Sequence, residues 1–154
     1  ADARINLTAL QAWYTRCSTN SREYNSIIDS KMSVYDLLCE VASAGRASPA
    51  IVDGLWTVVE DIAKSTYVQH FAPYNTKDFQ GNKPFNTRPH ALKVRFINRD
   101  KGWVQDERIV YDDGYTSANA TRYETLELHG CTSSDQAWKD GRYHIASARL
   151  RPET

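Results

Sequence analysis

Four histidines, three cysteines and three adjacent acidic pairs are the residues of this 154-residue sequence with the most evident capacity for chemistry. His70, His90, His129 and His144 could bind a metal or move protons. None stands two, three or four residues from another, the spacings that bring two imidazoles to one face of a helix or strand. A metal-dependent hydrolase would therefore have to gather its ligands from distant parts of the chain. Glu60-Asp61, Asp106-Glu107 and Asp112-Asp113 could hold a cation or act as acid and base, but no calcium-loop pattern surrounds them. Asp113-Gly114 reads better as a turn. Cys17, Cys39 and Cys131 form no C-x-x-C pair, which argues against a zinc ribbon or a thioredoxin-type site. They are expected as mostly buried, reduced thiols, with one long-range disulfide as the alternative. No G-x-S-x-G elbow, G-x-G-x-x-G turn or Walker A loop occurs. The expectation is a non-enzyme, with no catalytic, cofactor-binding or metal-binding residue and no cofactor.

The stretch His90–Tyr115 gathers the most suggestive remaining side chains. Leu92, Val94 and Phe96 alternate with Lys93 and Arg95, the period of a half-buried strand. Asn98-Arg99-Asp100-Lys101-Gly102 makes a polar loop, and Ile109-Val110-Tyr111 ends a second strand before Asp112-Asp113-Gly114. Lys93, Arg95, Arg99 and Lys101 lie near Phe96 and Trp103, a mixture that nucleic-acid surfaces use. Asp100, Asp106 and Glu107 in the same hairpin would blunt attraction to phosphate. Interleaved charges of this kind suit a protein–protein seam, with Arg99, Lys101, Trp103, Asp106 and Tyr115 as the candidate contacts. A nucleic-acid-binding module on the Lys93–Lys101 face is the alternative.

Bulk properties set the frame. Nineteen basic and nineteen acidic residues balance, so no general pull toward nucleic acid or anionic membrane is expected. No apolar run approaches the roughly 20 residues of a membrane span, and no secretory signal is read in the sequence. Asn6-Leu7-Thr8 and Asn119-Ala120-Thr121 match the glycosylation acceptor, a short pattern discounted without such a signal. The start at Ala1-Asp2-Ala3 suggests a processed product or an internal piece.

Along the chain, Thr8 to Cys17 is expected as a helix with a Thr8/Gln11 capping box and an apolar face of Leu7, Leu10, Tyr14 and Cys17. Ser26–Asp29 reads as a short strand. Ser33 caps a second helix carrying Asp36 near its start, a core stripe of Val34, Leu37, Leu38, Val41 and Ala42, and Gly45 as its C′ glycine. Asp53-Gly54 between Ile51-Val52 and Leu55–Val59 signals a hairpin with a type I′ turn. Tyr67–Phe71 reads as extended, and 72–89 as a long irregular connection with Phe79 and Phe85 pinned to the body. Arg122–Leu128 is a strand. A third helix, with Ser133 and Gln136 as a capping box, buries Ala137, Trp138, Gly141, Ile145 and Ala148. The sum is a single α+β domain over 1–154, with about three helices on short, mainly antiparallel strands. A small barrel-like sheet is one form this could take.

These words, in this order, resemble a known family. Ser33–Leu38, Gly45–Pro49 and Val52-Asp53-Gly54 are followed by Val94–Asn98, Gln105-Asp106-Glu107 and Tyr111–Tyr115. Leu126–Ser133, Gln136-Ala137-Trp138 and Gly141–His144 complete the set. Together they resemble the host specificity, or tip attachment, protein J of lambda-like long-tailed bacteriophages, over nearly all of the chain from Leu7 to Glu153. Members are much longer, so the resemblance implies one internal segment of a central tail tip hub, related in architecture to contractile-tail baseplate hubs. It implies a structural role, a homotrimer of the full-length protein around the tail axis and other phage tail proteins as partners. The location implied is the virion, after synthesis in the bacterial cytoplasm. Neither nucleic acid nor membrane insertion by this segment is expected. Receptor choice in the family is assigned to a far C-terminal part, and no catalytic residue transfers.

Overall fold

The computed structural model describes residues 4–29, 31–67, 69–78, 80 and 88–150. Within them three helices and two small sheets form an α+β fold with no closed barrel. The larger sheet holds the core. Strands β3 (Ala91–Asn98) and β4 (Val104–Tyr111) pair antiparallel, while β5 (Tyr123–Glu127) joins the other edge of β3 in parallel. Alternation in β3 sends Leu92, Val94 and Phe96 to one face, where they meet Val110, Cys131, Ala137 and Ile145. Helix α3 (Ser134–Leu150) closes that face. Ala137, Gly141 and Ile145, at four-residue steps, are its buried line. Gly141 is required by packing. A Cβ there would come within 2.8 Å of Val94 Cγ2 and Val110 Cγ2, both on fully buried side chains. Trp138 and Ala148, expected in the same stripe, are exposed.

The first half of the chain makes a second layer. Helix α1 (Leu7–Thr19) and helix α2 (Val34–Ala44) lie on the hairpin of β1 (Ala47–Val52) and β2 (Leu55–Glu60). Asp53 (φ 52°) and Gly54 (φ 76°) form the two-residue turn, the backbone that Asp-Gly prefers. Ser33 caps α2 as expected, its hydroxyl accepting from Asp36 N at 3.1 Å. Gly45, however, has φ −91°, and Arg46 takes the left-handed position at φ 54°. Glycine is needed at 45 because the Trp13 ring lies there. A Cβ would approach it to 2.5 Å, and the indole N–H donates to Gly45 O at 3.2 Å.

Several expectations for this half are corrected. The cap of α1 is Asn6, which accepts from Ala9 N at 3.1 Å, because Asn6 is itself held to β2 through Asn6 N–Trp56 O at 2.9 Å. The inward side of α1 carries Trp13, while Tyr14 is 72% exposed. The α2 stripe is not core: Val34 and Leu38 are open, and Ala42 alone is buried. Ser26–Asp29 is irregular, with Ile27 fully out in solvent. Tyr67 and Phe71 are exposed and form no strand, and Val68 lies outside the described residues. The described part of 72–89 contains neither helix nor strand, and Phe79 and Phe85 lie outside it.

Candidate interaction surface and polar seam

The β3–β4 tip is built by Asn98. Its side chain accepts from Asp100 N at 3.0 Å and donates to Asp106 Oδ2 at 2.7 Å. Lys101 Nζ closes on the same carboxylate at 2.9 Å. The Asn98 amide and then the Lys101 ammonium hold Asp106 below the usual carboxylate range. Gly102 and Trp103 both take positive φ, 82° and 63°, and Trp103 N returns to Asn98 O at 2.9 Å. A tryptophan in that region is strained, and here it is thrust outward, 64% exposed. Arg99 leaves the tip toward Glu23 at 3.3 Å. Arg99, Lys101, Trp103 and Asp106 therefore share one patch. Tyr115 does not join them. It stacks on His90 at 4.0 Å beyond the opposite end of the strands, which at about 3.3 Å per residue puts it roughly 23 Å away.

Lys93, Arg95, Arg99 and Lys101, four of the five basic residues of this hairpin, are largely compensated. Arg95 meets Glu107 at 3.3 Å and Glu127 at 3.8 Å, Arg99 meets Glu23, and Lys101 meets Asp106. Lys93 sits over the Tyr123 ring at 5.5 Å. The acidic pairs are spoken for as well. Arg16 grips Glu60, Tyr143 donates to Asp61, and Arg142 and Arg149 clasp the Asp112-Asp113 turn from α3. Those two guanidinium groups, Arg142 first, depress the Asp113 carboxyl. Among the described residues no three His, Cys, Asp or Glu gather as a metal site. All three cysteines are free thiols, Cys131 buried and Cys17 and Cys39 half-buried. Burial pushes Cys131 up to about 11, the opposite of what a nucleophilic thiol needs.

Beside the tip runs a largely apolar cleft of about 750 Å³, walled by Ile27, Phe96, Ile97, Trp103 and Leu128. A second apolar groove, about 520 Å³, opens between α1, α2 and β2 beside Ile5, Leu10, Trp13, Leu38 and Trp56. The open face of the larger sheet adds Ile97 and Ile109, each more than 40% exposed. Among the described residues many large apolar side chains remain in water, Val34, Ile51, Val59 and Trp103 each being more than half exposed.

The two layers meet through polar side chains that sequence reading passed over. Arg46 Nη2 donates to Lys139 O at 3.0 Å and pairs with Asp140 at 3.4 Å, while its guanidinium carbon lies 4.3 Å above the Tyr143 ring. Gln136 bonds Glu23 through both backbone groups, at 2.9 and 3.3 Å. Asn25 reaches Thr132 at 3.1 Å and Gly130 O at 2.8 Å. Arg46 and Asp140 are 94 residues apart, so no spacing rule could have joined them. The one local sign is that α2 ends Gly-Arg, with the arginine at the left-handed position. Comparison with protein-family models and with curated proteins gave no match.

Proposed function

We propose that this chain is a non-enzymatic structural segment of a bacteriophage tail tip hub, taking part in tail assembly and host attachment. The observation that carries the reading is the ordered run of segments from Ser33 to His144 that resembles the lambda-like tip attachment protein. What supports it is the surface. A hub segment is held by its neighbours, and a chain whose apolar grooves and sheet face remain open has area to give them. Trp103, rigid and exposed beside an apolar cleft, has the character of an interface anchor. In this reading the partners are other tail proteins and, in the full-length protein, two further copies around the tail axis. No helix among the described residues is long and apolar enough to cross a membrane.

The alternative, nucleic-acid binding on the Lys93–Lys101 face, gains no specific support, since the arginines and Lys101 already face carboxylates. The test is Trp103→Ala in the parent phage protein. The variant should fold normally yet give particles with defective tips and a fall in titre. Wild-type titre with normal tails would overturn the assignment of this surface to assembly.

A further inference from the structure

A small polar cleft of about 370 Å³ lies where the C-terminal turn of α1 meets the outer side of α3, and it is not part of the tip. Four cations and a single carboxylate line it: Arg22, Arg46, Lys139 and Arg142 against Asp140. Three of the four have partners. Arg46 holds Asp140, Lys139 holds Asp135 at 2.7 Å, and Arg142 turns away to Asp113. Arg22 has none. Among the described residues its guanidinium makes one hydrogen bond, to Gly45 O at 3.5 Å, the edge of bonding distance, and no carboxylate lies within ion-pair range.

Two further features converge on the same place. Arg46 Nε is enclosed and meets no acceptor among the described residues. An unsatisfied buried N–H is uncommon and calls for a partner. Two of the five described non-glycine residues with positive φ, Ser21 at 53° and Arg46 at 54°, line this one cleft. Such backbone costs free energy and tends to persist where a side chain must be aimed. Arg46 takes a position for which glycine is the favoured residue, so its side chain is what the chain retains there.

We propose that this cleft is an oxyanion subsite, with the Arg22 guanidinium as the principal ligand and Arg46 beside it. A guanidinium offers two parallel N–H donors to a phosphate or carboxylate, and a partly desolvated one without a counter-ion gains most from such a partner. Consistent with that crowding, burial and then the charge of Arg46 pull Arg22 down from its ordinary value, against the smaller opposing charges of Asp140 and Glu60; a guanidinium stays a cation in proteins. Inorganic phosphate and the carboxylate of an acidic side chain share this chemistry. The proposal does not depend on the tail tip reading.

Titration of the ¹⁵N-labelled chain with sodium phosphate and, separately, with sodium acetate at constant ionic strength tests it by NMR. Shifts confined to Ser21, Arg22, Arg46 and Lys139 should saturate, with half-saturation of about 1–10 mM, the range of a site worth a few hydrogen bonds. Saturation by phosphate alone marks a tetrahedral anion, and saturation by both marks a site open to carboxylates. Arg22→Gln should weaken binding about tenfold or more, and Arg22→Lys by less, since charge survives but the fork does not. Lys64→Gln, exposed and outside the lining of the cleft, should bind as wild type. Shifts that drift linearly with both anions, or an unchanged Arg22→Gln titration, would overturn the proposal. Should Arg22→Gln fail to fold, the wild-type titration decides by itself.

Discussion

Gly141→Ala should destabilise the protein, although the substitution normally helps a helix. In an exposed helix interior alanine gains about 1 kcal/mol over glycine. At 141 the new methyl would lie 2.8 Å from Val94 Cγ2, 2.8 Å from Val110 Cγ2 and 3.2 Å from Val110 Cβ. Neither valine can swing aside, because both are 0% exposed and held in paired strands, Val94 on the central β3 and Val110 on its neighbour β4. Relief must come from moving α3 off the sheet, an overpacking cost of about 1–3 kcal/mol. The difference leaves about 1 kcal/mol of destabilisation, a fall of roughly 2–4 °C in Tm for a chain of this size. Urea and thermal unfolding followed by circular dichroism read it directly. Val94→Ala removes one of the two obstructing methyl pairs, so the double variant should lose less than the sum of the singles, by about 0.5 kcal/mol or more. A Tm that rises for Gly141→Ala, or strict additivity, would refute the claim that residue 141 sets the helix–sheet distance.

The seam and the core thiol give two more expectations. Arg46→Gly relieves a left-handed arginine, worth about 1 kcal/mol. It also strands the enclosed Asp140 carboxylate at about 3–5 kcal/mol, so a net loss of about 2–4 kcal/mol should appear in urea unfolding, and a stabilised variant would contradict the seam. Cys131, raised from 9.0 to about 11, keeps its proton longer in the folded state than in the unfolded one. Its contribution is therefore whole below pH 9 and lost as pH climbs toward 11, a fall of roughly 2 kcal/mol, and Cys131→Ala should flatten that part of the stability profile. By the same burial, a thiol reagent at pH 8 should modify Cys17 and Cys39 in native protein and reach Cys131 only on unfolding, as mass spectrometry of the products would show.

Elements whose cause lies in a few neighbouring residues were legible from the chain alone. Leu92, Val94 and Phe96 announce β3 by alternation, Asp53-Gly54 announces a type I′ turn, and Ser33 announces the start of α2. The close-packing glycine of α3 could also be named. What escaped was set by partners far away in sequence. Asn6 displaced Thr8 as the cap of α1 because Trp56 holds it. Helix α2 carries a regular apolar stripe, yet nothing in the described residues covers Val34 and Leu38, and periodicity cannot say whether a face finds a cover. The parallel pairing of β5 with β3 leaves no trace in its five residues. At the candidate site, Arg99, Lys101, Trp103 and Asp106 are near enough in sequence to be read as one charged patch, while the candidate contact Tyr115 lies at the other end of the strands, a distance that only the fold shows. The Arg46–Asp140–Tyr143 seam and the lone Arg22 depend on tertiary placement entirely.

A tail tip segment has a fixed place in the particle, and that place can be seen. A gold-labelled antibody against this segment, applied to intact particles of the parent phage and viewed by electron microscopy, should decorate the far end of the tail. Label over the capsid, or virions that carry none, would contradict the proposed place in the tail tip.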